Sequence, residues 1–211
     1  MSFPPRYRAR SRVDASGEES RAKAVAAATE LFALAGYKGT SVAAVAARTG
    51  LSQSGLLHHF PSKAALLAAV LEERDRQDGA FLTGSTSPPL GWAAFDALTA
   101  LVARNSARPR MVGLFVRLAA EAIEPSHPAH AWVQQHYAGI RTWLGEAVRT
   151  GVDRGEFRQD APVEAIVRTT VAVIDGLQQQ WLLQPGELSM ASEFETYVSA
   201  LRARWSSFEV R

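Results

Sequence analysis

A chain of 211 residues, 47% hydrophobic and 21% charged, can bury a core as one large or two modest domains, which excludes a disordered chain or a stapled mini-protein. It has no cysteine, which excludes disulfides and thiolate chemistry; with no apolar run of ~18 residues and a start, MSFPPRYRARSR, without a secretory apolar stretch, a cytoplasmic protein that is neither spanning nor exported is expected. The net charge of +2 hides an asymmetry: residues 1–63 carry nine Lys+Arg against four Asp+Glu, residues 64–211 fourteen against seventeen, so a basic head suited to a polyanion joins a mildly acidic body.

Almost every periodic segment has the 3.6-residue spacing of an amphipathic helix, so the fold class is all-α, with about nine helices. Residues 1–17, with Arg6, Arg8, Arg10 and Arg12, read as a disordered basic arm. The first helix begins around Ser16 to Ser20, where Ser16-Gly17-Glu18-Glu19 offers a capping box, and Gly36 stops it. Ser41 caps a short helix ending near Gly50, Ser52 caps a shorter one through His59, and a longer helix runs from Lys63 to about Phe81. Residues 83–91, TGSTSPPLG, read as a linker that places the domain edge between 18–82 and 83–211. Five helices follow: Trp92–Asn105, Pro109–Ile123, Pro128 to about Arg154, Pro162–Leu183 and Met190–Trp205, with each leading proline in a first turn that tolerates a missing N–H.

Two short helices joined by a Gly-containing turn, inside a small basic three-helix unit, describe a helix-turn-helix reader of DNA. The second helix of such a pair projects its N-terminal residues into the major groove, where the small and polar Gln53, Ser54 and Gly55 fit. Glycine inside a helix costs roughly 1 kcal/mol relative to alanine, so Gly55 signals close approach of another surface, either a duplex or the preceding helix. Lys63 stands at a helix N-terminus, where a cation opposes the macrodipole, and phosphate binding would explain it. Arg48 and the arm's arginines add sequence-independent attraction, while Tyr37 and Phe60 read as core.

The stretch GYKGTSVAAVAARTGLSQSGLLHHFPSKAALLAAVL resembles the DNA-binding region of the TetR family of bacterial repressors, over about residues 18–75. Gly36-Tyr37, Ser41-Val42, Val45-Ala46, Gly50-Leu51-Ser52, His58-His59-Phe60 and Lys63 carry the resemblance. It implies a dimeric, ligand-responsive transcriptional regulator whose second domain holds the effector pocket. It also implies that Ser41 caps the second helix and touches phosphate, that His59 meets backbone phosphate, and that His58 lies on the groove side, the alternative for a histidine here being packing against Phe60. The chain departs from the pattern at Ser54-Gly55, where the family often has Gly then Thr, and at Leu57, where a Tyr would donate a phosphate contact.

All five tryptophans, Trp92, Trp132, Trp143, Trp181 and Trp205, lie beyond the linker. Core packing accounts for most such aromatics. Yet Trp92, Phe95, Phe115, Trp132 and Tyr137 are mixed with the polar Arg117, His136, Asp175 and Gln178, and an apolar cavity with a few convergent polar groups is the usual form of a small-molecule site between helices. Aromatic rings with acids are also able to cage a cation. His127-Pro128-Ala129-His130 with His136 invites a metal reading, which is set aside because His127 looks like a cap, no cysteine is available and no acid stands at helical spacing beside the pair. Neither metal nor cofactor is expected. The region from His127 through Asp175-Gly176-Leu177 to Trp181-Leu182-Leu183 is similar to the effector domain of the betaine-regulator-like branch of the same family. In such relatives the last two helices form a four-helix dimer interface; Ile174, Leu177 and Trp181 on one, and Phe194, Val198, Leu201 and Trp205 on the other, suit it, the alternative being intrachain core.

The expected protein is a cytoplasmic homodimeric repressor with a helix-turn-helix domain and a helical-bundle effector and dimerisation domain. Two-fold pairing sets its reading helices about 34–36 Å apart on a palindromic, double-stranded operator. A small molecule in the second domain releases it. The competing readings are a helical enzyme using that cavity, for which the sequence offers no nucleophile elbow, phosphate loop or metal quartet, and an interaction adaptor without DNA binding, whose foothold is Leu57.

Overall fold

The computed structural model describes residues 12–84 and 87–207, with side chains from residue 16. Among the described residues nine helices run in chain order: α1 (Arg12–Gly39), α2 (Val42–Thr49), α3 (Gln53–His59), α4 (Lys63–Thr83), α5 (Trp92–Ser106), α6 (Pro109–Glu121), α7 (His130–Asp153), α8 (Val163–Leu183) and α9 (Met190–Trp205). The chain divides into two compact units, one up to Val70 and one from Leu71.

In the first unit, α1 breaks at Gly36, whose φ of 72° lies in the left-handed region that glycine enters without a Cβ penalty. Buried Thr40 gathers the chain beyond the break: its hydroxyl donates to the Gly36 carbonyl at 2.9 Å and the Leu31 carbonyl at 3.1 Å. Ser41 Oγ then accepts from the Ala44 N–H at 3.1 Å and so starts α2, which ends at Gly50 with φ 72°. Ser52 Oγ accepts from the Gly55 N–H at 3.0 Å and starts α3. Phe32, Val45, Leu56, Phe60, Leu66 and Leu67 are buried as this unit's core.

Two boundaries differ from expectation. Helix α1 begins at Arg12, so Ser16-Gly17-Glu18-Glu19 lies inside it and residues 12–17 are helical; no proline interrupts Arg12–Ser16, and extending a nucleated helix costs little per residue. Arg6, Arg8 and Arg10 lie outside the described residues. The units also divide inside α4, not in the stretch 83–91. Its first half buries Leu66, Leu67 and Val70, whereas beyond Leu71 it carries Asp78, which accepts from Arg104 Nη1 at 3.0 Å within the second unit.

The second unit packs α5 against α9, and α8 against α6, α7 and α9, around a core that includes Phe95, Leu144, Phe157, Ile166 and Phe194. Trp92 stacks on Phe157 at 3.8 Å between centroids, a fit that needs Gly151, where a Cβ would sit 2.5 Å from the Phe157 ring. Glu156 caps α5, its carboxylate accepting from the Trp92 N–H at 2.9 Å. Helix α7 starts at His130, after the expected Pro128, because the preceding residues form tight turns in which His127 Nδ1 accepts from the Ala129 N–H at 3.2 Å.

Candidate DNA-reading surface and effector cavity

In α3, Leu56 is fully buried and fixes the helix on its unit, so that Gln53, Ser54, Leu57 and His58 face outward. Gly55 and His59 are half-buried. A Cβ built at Gly55 would meet Ser52 Oγ at 3.2 Å and no atom of α2 within 4 Å. Crowding against the preceding helix therefore does not explain this glycine, whereas the cap oxygen does in part. His58 is exposed and turns its ring toward His59 at 5.8 Å, while His59 stands 6.4 Å from Phe60.

The expected phosphate-seeking cations have partners inside the first unit. Arg48 is exposed, and its Nη2 lies 2.7 Å from Glu30 Oε2. Lys63 Nζ donates to the Thr40 carbonyl at 3.0 Å and lies 4.4 Å from the centroid of Tyr37. Phosphate is thus not the sole reason for a lysine at the α4 N-terminus: the carbonyl and the ring already offset its conflict with the macrodipole. Ser41, the α2 cap, is exposed. The outward face of α2 and α3 thus carries small side chains with Gln53, His58 and the exposed Leu57, and cations at its margin.

The second unit holds a cavity of about 640 Å³ lined from α4, α5, α6, α7 and α8, inside the range of about 300–1,000 Å³ common for small-molecule sites. A second cavity, about 700 Å³, lies among α6, α7 and α8. Phe115, Tyr137, Asp175 and Gln178 line both. The Tyr137 hydroxyl donates to Asp175 Oδ2 at 2.9 Å. Burial raises the pKa of the Asp175 carboxyl, a shift that the Tyr137 bond opposes; burial likewise raises that of the Tyr137 phenol, reinforced by Asp175. Trp132 and His136 stack at 5.0 Å, and His136 Nδ1 lies 3.0 Å from Asp75 Oδ1.

The structure thus brings together Phe115, Trp132, His136, Tyr137, Asp175 and Gln178. It does not bring Trp92, Phe95 or Arg117 to either cavity. Phe95 is fully buried beside Phe157, and Trp92 is stacked on the same ring, so both belong to the core. Arg117 is exposed and its Nε donates along its own helix to the Gly113 carbonyl at 3.1 Å.

Sequence reasoning passed over Arg74, Asp75 and Asp78 of α4, since a charge run on a long helix is ordinarily a solvated face. The signal was present: Arg74 and Asp78 continue the buried Val70 and Leu71 at spacings of three and four residues. The Arg74 side chain is only 10% exposed, sits 4.0 Å over the Phe115 ring and lies 3.8 Å from both Asp75 and Asp78.

Among the residues expected at a dimer interface, Phe194 and Val198 are buried within the chain, because α9 turns that stripe onto α5. Ile174, Leu177, Trp181, Leu201 and Trp205 are half-buried. Of the candidate metal ligands, His127 acts in its turn, His130 Nδ1 lies 2.7 Å from the Ala122 carbonyl and His136 meets Asp75.

Comparison with known proteins decides the family. A model described as bacterial regulatory proteins of the tetR family matches residues 24–70, and one described as the C-terminal part of BetI-type transcriptional repressors matches residues 94–203, more than half of the chain. The chain belongs to the TetR family. It is a DNA-binding transcriptional regulator, not an enzyme. This TetR-family chain is 26% identical over 197 residues to the HTH-type transcriptional regulator TtgR of Pseudomonas putida, covering 89% of this chain and 91% of that one. Its fold is similar to that of a TetR transcriptional regulator from Chloroflexus aurantiacus, with 25% identity, a TM-score of 0.73 and coverage of 90% and 95%. It is likewise similar to a regulator from Saccharomonospora viridis solved in complex with choline, with 18% identity, a TM-score of 0.75 and coverage of 90% and 100%. Among the described residues no helix is long and apolar enough to cross a membrane.

Proposed function

We propose that this TetR-family regulator is a dimeric cytoplasmic repressor that leaves a palindromic operator when a small molecule fills the cavity of its second unit. The 640 Å³ cavity, with aromatic walls and convergent polar groups, is the observation that carries this reading. The match to a model of repressors over residues 94–203 supports the sign of regulation. Gln53, Ser54, Gly55 and His58 face base edges, while Ser41, Arg48, His59 and Lys63 face phosphate. One seven-residue reading helix buries too little for a specific complex. Pairing of two subunits, through Ile174, Leu177 and Trp181 on α8 and Leu201 and Trp205 on α9, supplies the second reader.

A ligand displaces operator only by its difference in affinity for the free and DNA-bound protein, so ligand and DNA weaken each other by the same factor. Titrating labelled DNA from upstream of the reading frame, and scanning small molecules by tryptophan fluorescence with and without that DNA, tests the proposal. Equal ligand affinity in both states would sink it.

A further inference from the structure

Four carboxylates and one guanidinium line the 640 Å³ cavity: Glu72, Asp75, Asp78 and Asp175 against Arg74. Partners already answer two of the acids, since Asp75 meets His136 Nδ1 at 3.0 Å and Asp78 meets Arg104 at 3.0 Å. The charge of Arg74 is balanced, 3.8 Å from both Asp75 and Asp78 and over the face of Phe115, although no acceptor among the described residues reaches its Nη1. Asp175 is different. It is half-buried and bonded to the neutral Tyr137 hydroxyl, and no Lys, Arg or His nitrogen among the described residues lies within 4.0 Å of it. One helical turn further on, Gln178 is 6% exposed, lines the same cavity, and has an Oε1 that no donor among the described residues reaches.

A buried acceptor without a donor and a desolvated carboxylate with no cation in contact, only the more distant charges of His136 and Arg74, both raise the free energy of the empty site. A ligand that offers positive charge to one and an N–H to the other relieves both. Phe115, Trp132 and Tyr137 add apolar surface and π faces beside them. We infer that the effector is an organic cation bearing its own N–H donors, a protonated amine or amidine on an aromatic body, held between Asp175 and Gln178. The inference rests on reading this cavity as the effector site. A quaternary ammonium would answer the charge of Asp175 but leave Gln178 Oε1 without a donor, and a carboxylate would face Asp175 as a like charge. Burial raises the Asp175 carboxyl's pKa against the lowering by the Tyr137 bond and by the charges of His136 and Arg74, and a cation bound in contact would lower it further.

Calorimetric titration of the full chain near neutral pH with 1-naphthylmethylamine, its N,N,N-trimethyl derivative, 1-naphthylmethanol and 1-naphthylacetate tests this. The amine should bind at least about tenfold more tightly than each of the others. Asp175→Asn, which keeps an acceptor for Tyr137, and Gln178→Leu should each weaken the amine by about tenfold, with helical circular dichroism and a cooperative melt showing that the variants are folded. The alcohol, the acetate or the trimethyl derivative binding as tightly as the amine would overturn the inference while the cavity reading stands, as would undiminished amine binding by Asp175→Asn. Binding of none of the four overturns both. Selective amine binding that leaves operator DNA in place upholds the cation and removes the effector role.

Discussion

Lys63 donates from Nζ to the carbonyl oxygen of Thr40 at 3.0 Å, tying the start of α4 to the residue that closes the broken end of α1. The same ammonium lies 4.4 Å from the Tyr37 centroid. Lys63→Met keeps most of the apolar stem and removes both contacts, so the free protein should lose about 1 kcal/mol in urea titration. If Lys63 also meets phosphate, the slope of log affinity for operator against log salt falls by about one. Unchanged stability would reject the structural role, and an unchanged slope the phosphate contact.

Gly55→Ala separates folding from recognition. The added methyl approaches Ser52 Oγ at 3.2 Å, a side-chain atom that can shift by a few tenths of an ångström, while alanine gains helix propensity of roughly 1 kcal/mol. The melting temperature of the free protein should hold or rise. Operator affinity should fall about tenfold if a duplex approaches the α3 backbone there. Full affinity in a folded variant would confine Gly55 to the local geometry of its cap.

If Arg48 meets the DNA backbone as proposed, its pair with Glu30 competes with phosphate. Both side chains are more than half exposed, at 57% and 52%, so the pair contributes no more than about 1 kcal/mol to folding. Glu30→Gln should leave stability within about 0.5 kcal/mol and raise operator affinity about threefold at low salt, an advantage that fades as salt is added. Affinity equal to wild type in anisotropy titrations at every salt concentration would place Arg48 away from the phosphates.

Asp175 gives a signed pH dependence. Burial raises its carboxyl above the ordinary 3.8, and the Tyr137 hydroxyl with the charges of His136 and Arg74 offsets this only in part. Between the ordinary value and the raised one the folded chain holds more protons than the unfolded chain, so this residue's contribution falls as pH rises through that window and stays reduced above it. Asp175→Asn abolishes the titration. It should melt higher than wild type near pH 7, with the difference shrinking toward about pH 3, where the group is protonated in both states. A variant less stable than wild type near pH 7 would show that the ionised carboxylate stabilises the fold.

Local chemistry made much of this protein legible before any fold was known. Ser41, Gly50 and Ser52 mark the limits of α2 and the start of α3 because capping satisfies backbone groups within three or four residues of the cap, and the starts of α6 and α9 follow from the first-turn Pro109 and the Ser189 cap. Helical periodicity also put Phe115, Trp132, His136, Tyr137, Asp175 and Gln178 on faces able to converge.

What those faces meet was decided by tertiary structure alone. Trp92 and Phe95 close on Phe157 and leave the cavity, Phe194 and Val198 turn inward against the core, Arg48 finds Glu30, and Arg74 enters a wall that its charge argued against. Each of these outcomes depends on residues brought together from separate helices. Periodicity along one helix says which side chains share a side, and carries no information about the partner that side will have.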